Sequence, residues 1–209
     1  MKNQLLLGCG HARKICVYEK AKYRETPPSW ENLFTLDINP EVEPDLVCDL
    51  DKPEWVCAAL TEQGKICTTS NLNRDVIRTG RVIQKDFFDE VHAYEVLEHL
   101  GRQGYQEDLF STFANLYRIL VPDGLVLATC PSRYGGWLWG DPGHRRVITP
   151  ETLVFLDQEQ YATQAGKTAM SDYRYIWKSD FKIIESYDDR KSTHSFVLQA
   201  IKPARSFST

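Results

Sequence analysis

Residues 88–100 read FDEVHAYEVLEHL, and the change of character within this stretch decides the fold. Phe88–Tyr94 reads as a short strand, and Glu95–Leu100 follows at once as a helical block. A strand feeding directly into a helix is the unit from which a sheet with helices on its faces is built. Outward from this block the same alternation recurs. Strands are predicted at Gln4–Gly8, Leu33–Asp37, Asp45–Asp49 and Leu125–Cys130, as continuous apolar runs of the kind covered on both faces.

Helices are predicted at Pro53–Gln63, Gln106–Leu120 and Pro150–Gln160. In the second, Leu109, Phe113, Leu116 and Leu120 recur at helical spacing, and Pro122-Asp123-Gly124 turns the chain into the next strand. In the third, Thr149 is the cap, Pro150 fits the first helical position, and Glu151 suits the positive end of the dipole. Lys182–Tyr187 and Ser195–Ile201 are expected to pair as an antiparallel C-terminal edge hairpin. The expected class is α/β, a mostly parallel sheet with helices on both faces. Ala12–Trp30 and Lys65–Arg81 carry no steady period, and the tail from Pro203 reads as disordered.

A chain of 209 residues suits one domain over 1–209. Its 25 Lys and Arg against 29 Asp and Glu give a net charge of −4 with no basic run, so nucleic acid is not an expected partner. No apolar stretch approaches the roughly 20 residues of a membrane span, and Leu5–Leu7 ahead of Cys9 is far short of the ~7–15 residues of a signal core. The six cysteines (Cys9, Cys16, Cys48, Cys57, Cys67 and Cys130) form no Cys-x-x-Cys pair. That suits reduced thiols in the cytoplasm, and no metal site is expected from their spacing.

Three strand ends carry candidate binding residues. Gly8-Cys9-Gly10 closes the first strand, where glycines let backbone approach a nucleotide-like ligand; a tight turn alone would use them too. Asp37, before Ile38, ends the second, where a carboxylate accepts from both ribose hydroxyls or forms an Asx turn before Asn39-Pro40. Asp49, before Leu50, ends the third and either meets a base's exocyclic amine or caps the following turn.

The run FDEVHAYEVLEHL resembles the fourth-strand motif of class I S-adenosylmethionine-dependent methyltransferases of the type 11 kind. LLLGCG, LDINP, DLVCDL, LYRILVPDGLVLATCPS and DPGHRRVITPETLVFL fall in that family's order, covering about Leu5 to Leu156 in scattered blocks. The resemblance implies a Rossmann-like fold, S-adenosylmethionine as cofactor, and methyl transfer to a small-molecule or glycan-linked acceptor. It places Gly8, Cys9 and Gly10 at the methionine end, Asp37 and Ile38 at the ribose, Asp49 and Leu50 at the adenine, and Tyr94 and Glu95 by the sulfonium. A cation–π contact from the Tyr94 ring would suit that charge if the ring faces inward. The usual third glycine is missing, with Ala12 and Arg13 in its place.

Methyl transfer is an in-line displacement on an activated carbon, so positioning supplies much of the rate and a base is needed only for a protonated nucleophile. The candidates for that task are His99 and His144; each also reads as a structural histidine. Tyr134–His144, with four glycines besides Trp137 and Trp139, reads as a lid that would carry His144 inward, or as a loop whose tryptophans cover the core. Two alternatives stay open: an inactive cofactor-binding module serving as a partner subunit, and a nicotinamide dehydrogenase. The second lacks its third glycine and leaves VLEH unexplained.

Overall fold

A computed structural model describes residues 2–11, 16–19, 22–25, 32–55, 57–60, 66–67 and 83–206. Among them, strands β1 (Gln4–Leu7), β4 (Leu33–Asp37), β5 (Leu46–Cys48), β8 (Phe88–Tyr94) and β9 (Leu120–Pro131) form a parallel centre in the order β9-β8-β1-β4-β5. The hairpin of β10 (Phe181–Asp188) and β11 (Thr193–Ala200) continues the sheet beyond β9, as expected, with β11 antiparallel to it. β10 is the sheet's outer strand and carries a register shift between Ile183 and Glu185. From β1 the chain steps to β4 and β5 on one side, then returns to β8 and β9 on the other. The strand order therefore reverses between β1 and β8, and ligands of open parallel sheets sit at such a crevice.

Several elements depart from expectation. Cys57–Leu60 is not helical but a strand, β6, antiparallel to β5 and followed by β7 (Ile66–Cys67). The open edge of β5 offers a row of unpaired amides and carbonyls, and an apolar run beside it pairs there despite its helix formers. A small separate sheet joins β2 (Cys16–Glu19) to β3 (Lys22–Glu25) within Ala12–Trp30; the rest of that stretch and most of Lys65–Arg81 lie outside the described residues. The turn Pro122-Asp123-Gly124 is a bulge inside β9, with Asp123 at φ 63° and the pairing jumping from Leu120 to Leu125.

The helix expected over Pro150–Gln160 splits into α3 (Pro150–Val154) and α4 (Gln158–Gln164). Asp157 causes the break, because its carboxylate caps the amides of Glu159 and Gln160 and also accepts from Ile183 N. The tail from Pro203 is anchored by Arg205, whose guanidinium reaches the buried carboxylates of Asp157 and Asp180 at 2.9 and 2.7 Å. An arginine between two buried carboxylates offsets their desolvation, which holds this part of the tail in place against expectation. The described helices include none long and apolar enough to cross a membrane.

The main core lies on one face of the sheet. Leu5, Leu7, Leu36, Val91, Ala93, Val126 and Ala128 face α1 (Gln106–Ile119), which buries Leu109, Phe113, Leu116 and Ile119 against them. The other face is more polar. Lys2 Nζ and Gln4 Nε2 donate to Glu90 at 2.7 and 2.6 Å, and His92 lies 3.4 Å from the same carboxylate. His92, Lys2 and Gln4 together hold the Glu90 carboxyl down from 4.5 to about 2, the contact with His92 contributing most.

A depressed carboxyl stabilises the fold above its unfolded pKa, and that contribution is lost as pH falls from about 4.5 towards 2. Glu90→Gln should therefore remove up to about 3 kcal/mol of acid-sensitive stability, at about 1.4 kcal/mol per pKa unit. Urea midpoints at pH 6 and pH 3 check this: the parent should lose more between them than the variant, and equal losses would refute the assignment.

Candidate functional site

The glycine turn sits at the crevice. Leu7 pairs with both Leu36 and Ala93, so Gly8 follows at the level where β4 and β8 end. Gly8 has φ +57°, and a Cβ there would stand 2.7 Å from Val96 Cγ2, so both conformation and space demand glycine. Gly10 has φ +49°, and among the described residues nothing lies within 4 Å of where a Cβ would be. Cys9 is buried beside Leu6 and Val42, so its side chain faces the sheet's second face.

Asp37 joins this turn to the end of β4. One carboxylate oxygen accepts from Gly10 N and the other from Asn39 N, both at 2.9 Å. The Asx turn and the ligand-facing position thus coexist: each oxygen keeps a second lone pair. Ile38 is 64% exposed beside it. Asp49 accepts from Asp51 N at 3.0 Å and has Lys52 Nζ 3.5 Å away, while Leu50 is buried in the main core and its carbonyl accepts from Trp55 Nε1.

At the end of β8, the Tyr94 hydroxyl bonds His92 Nδ1 at 2.8 Å, and the ring packs with Leu6, Cys9 and Val42. The ring thus belongs to the second face of the sheet. Glu95 adopts φ 51°, rare for a residue with a side chain, and donates its amide to Thr129 O. Burial of its carboxyl raises its pKa.

The helix expected over Glu95–Leu100 is a single 3-10 turn, Leu97–His99. It stops because the Glu98 carbonyl accepts from Arg145 N and Arg146 N, at 2.8 and 2.9 Å, and so is taken by another segment. The Glu98 side chain is wholly buried, and its carboxylate is met by the Cys130 thiol, the Glu95 side chain and its own backbone. Burial, helped by the charge of Glu95, pushes its pKa up to about 8.

The two candidate histidines meet here. His99 and His144 lie edge to face with ring centroids 4.8 Å apart, and His144 Nε2 is 3.9 Å from Glu98 Oε1 and 3.8 Å from Asp141 Oδ2. One ligand atom each from Glu98, His99 and His144 can be chosen within 4.8 Å of one another, a grouping of the kind that holds a metal ion. Cysteine spacing gives no hint of it, because the third member comes from a loop distant in sequence. Glu98 is a candidate that sequence reasoning misses; its position between Leu97 and His99, three residues after Glu95, is the available signal.

The Tyr134–His144 loop holds a short helix, α2 (Trp137–Gly140), whose Leu138 is buried while Trp137 and Trp139 are each 75% exposed. The tryptophans therefore do not cover the core. The far end of the loop is already fixed: Gly143 O meets His99 Nδ1 at 2.9 Å, and Asp51 ties Gly101 N and Arg145 together. His144 needs no closing motion to reach Glu98.

No protein-family model matches the sequence, and no curated protein matches it either. Among solved structures, the chain is similar to an S-adenosylmethionine-dependent methyltransferase from Archaeoglobus fulgidus, at 13% identity over 95% of this chain and 86% of that one, with a TM-score of 0.46. It is also similar to the N-methyltransferase NodS from Bradyrhizobium japonicum in complex with S-adenosylhomocysteine, at 15% identity over 95% and 78%, TM-score 0.46. A third is YcgJ from Bacillus subtilis, at 12% identity over 98% and 93%, TM-score 0.47.

Proposed function

We propose that the chain is a methyltransferase that binds S-adenosylmethionine at the β1–β8 crevice and passes its methyl group to a small-molecule or glycan-linked acceptor. One observation carries the reading: the Asp37 carboxylate is bonded to Gly10 N in the glycine turn that ends β1, where the strand order reverses. Asp37 would take the ribose hydroxyls, Gly8 to Gly10 the methionine end, and Asp49 with the Leu50 backbone the adenine. Glu95, at the end of β8, would face the sulfonium. His99 and His144 would serve the acceptor, and the exposed Trp137 and Trp139 would give it an apolar surface. A reducing compartment suits the buried thiols of Cys9, Cys48 and Cys130.

Calorimetry tests the cofactor: S-adenosylmethionine should bind and NAD should not, and the reverse result would favour a dehydrogenase. Release of S-adenosylhomocysteine over a panel of acceptors separates an enzyme from an inactive binding module. Asp37→Ala should weaken cofactor binding by about 1.5–3 kcal/mol, the scale of a hydrogen bond to a charged group. Unchanged affinity in a folded variant would leave Asp37 as a turn residue. Trp137→Gly should reduce turnover or acceptor binding while changing stability by no more than about 1 kcal/mol, the scale of a glycine at an exposed helical position. A large fall in melting temperature would refute the exposed placement.

A further inference from the structure

We propose that Glu98, His99 and His144 bind a divalent first-row transition-metal ion. One oxygen and two imidazole nitrogens form a donor set that suits zinc, manganese, iron or cobalt better than magnesium or calcium, which prefer all-oxygen sites. The histidine geometry supports this. His99 Nδ1 lies 2.9 Å from the Gly143 carbonyl, so Nδ1 carries the proton and Nε2 keeps a bare lone pair. Metal-ligating histidines are typically oriented in this way, by a carbonyl or carboxylate on the other ring nitrogen. Gly143 permits the contact, since a Cβ there would stand 3.1 Å from His99 Nδ1.

A second observation is independent of the histidine geometry. Glu98 is 0% exposed, and its carboxylate is met by the Cys130 thiol, the Glu95 side chain and its own backbone, with no Lys or Arg paired to it among the described residues. Such a group is costly to bury, and a cation beside the carboxylate offsets that cost. Bonds of about 2.0–2.2 Å bring ligand atoms to roughly 3–3.5 Å from each other, so the three side chains must draw together from separations of 3.9 Å between His144 Nε2 and Glu98 Oε1 and no more than 4.8 Å within the set. Three protein ligands leave positions open for an oxygen of the acceptor, a use that rests on the methyl-transfer reading; the ion site itself does not.

The test uses the full chain, stripped with a chelator and titrated with Co²⁺, then competed with Zn²⁺. One equivalent should bind, with visible d–d absorption and a raised melting temperature. Glu98→Gln and His144→Ala should each weaken binding by about tenfold or more and remove the melting shift. In the parent itself, Co²⁺ should perturb the imidazole resonances of His99 and His144 before those of His11, His92 and His194, which needs no variant to fold. No uptake at millimolar Co²⁺, equal affinity in a folded variant, or perturbation confined to the other histidines would overturn the proposal. Every readout is made without cofactor or acceptor. Loss of the metal result with S-adenosylmethionine still bound would sink this inference alone, and the opposite pattern would sink the methyltransferase reading alone.

Discussion

The Glu98 carbonyl accepts from two successive amides, Arg145 N and Arg146 N, and the arrangement of the site depends on that pair of bonds. A helix continuing from Leu97 would have needed the same carbonyl. Because the carbonyl is taken, the chain stops after one 3-10 turn and leaves through Gly101 at φ +69°. The loop that supplies the two amides also carries His144, so the same bonds set His144 beside Glu98 and His99.

Asp51 reinforces this junction from a third direction. One carboxylate oxygen takes Gly101 N at 2.8 Å and the other meets Arg145, so the loop after β5 is tied to both segments. Arg146 is buried and donates to the carbonyls of Arg102 and Tyr105 at 2.5 and 3.0 Å. The histidine cluster is therefore held by backbone and by buried charge on three sides, which favours a fixed geometry over one assembled on ligand binding.

The parallel strands and the C-terminal hairpin were legible because apolar runs such as Leu33–Asp37 and Leu125–Cys130 have no other good use in a chain of this composition. The strand ends were legible for the same reason: glycines and acids falling just after such runs are noticeable. What escaped depended on partners far away in sequence. Cys57–Leu60 pairs because β5 has an open edge, and Asp157 breaks a helix because Arg205 and Ile183 N lie nearby. The anchored tail and the Glu98–His99–His144 cluster are likewise products of tertiary contact. Local propensity carries no record of such contacts.

The register shift in β10 between Ile183 and Glu185 bears on how the protein behaves in a crowded solution. β10 is an outer strand of the large sheet, and Ile184 and Tyr187 are about half exposed there. A regular strand with such side chains would offer a template for a neighbouring molecule's strand. The shift breaks the ladder midway, and Lys182, Glu185 and Asp188 place charges along it, so edge-to-edge pairing into larger aggregates is opposed by the strand's own irregularity.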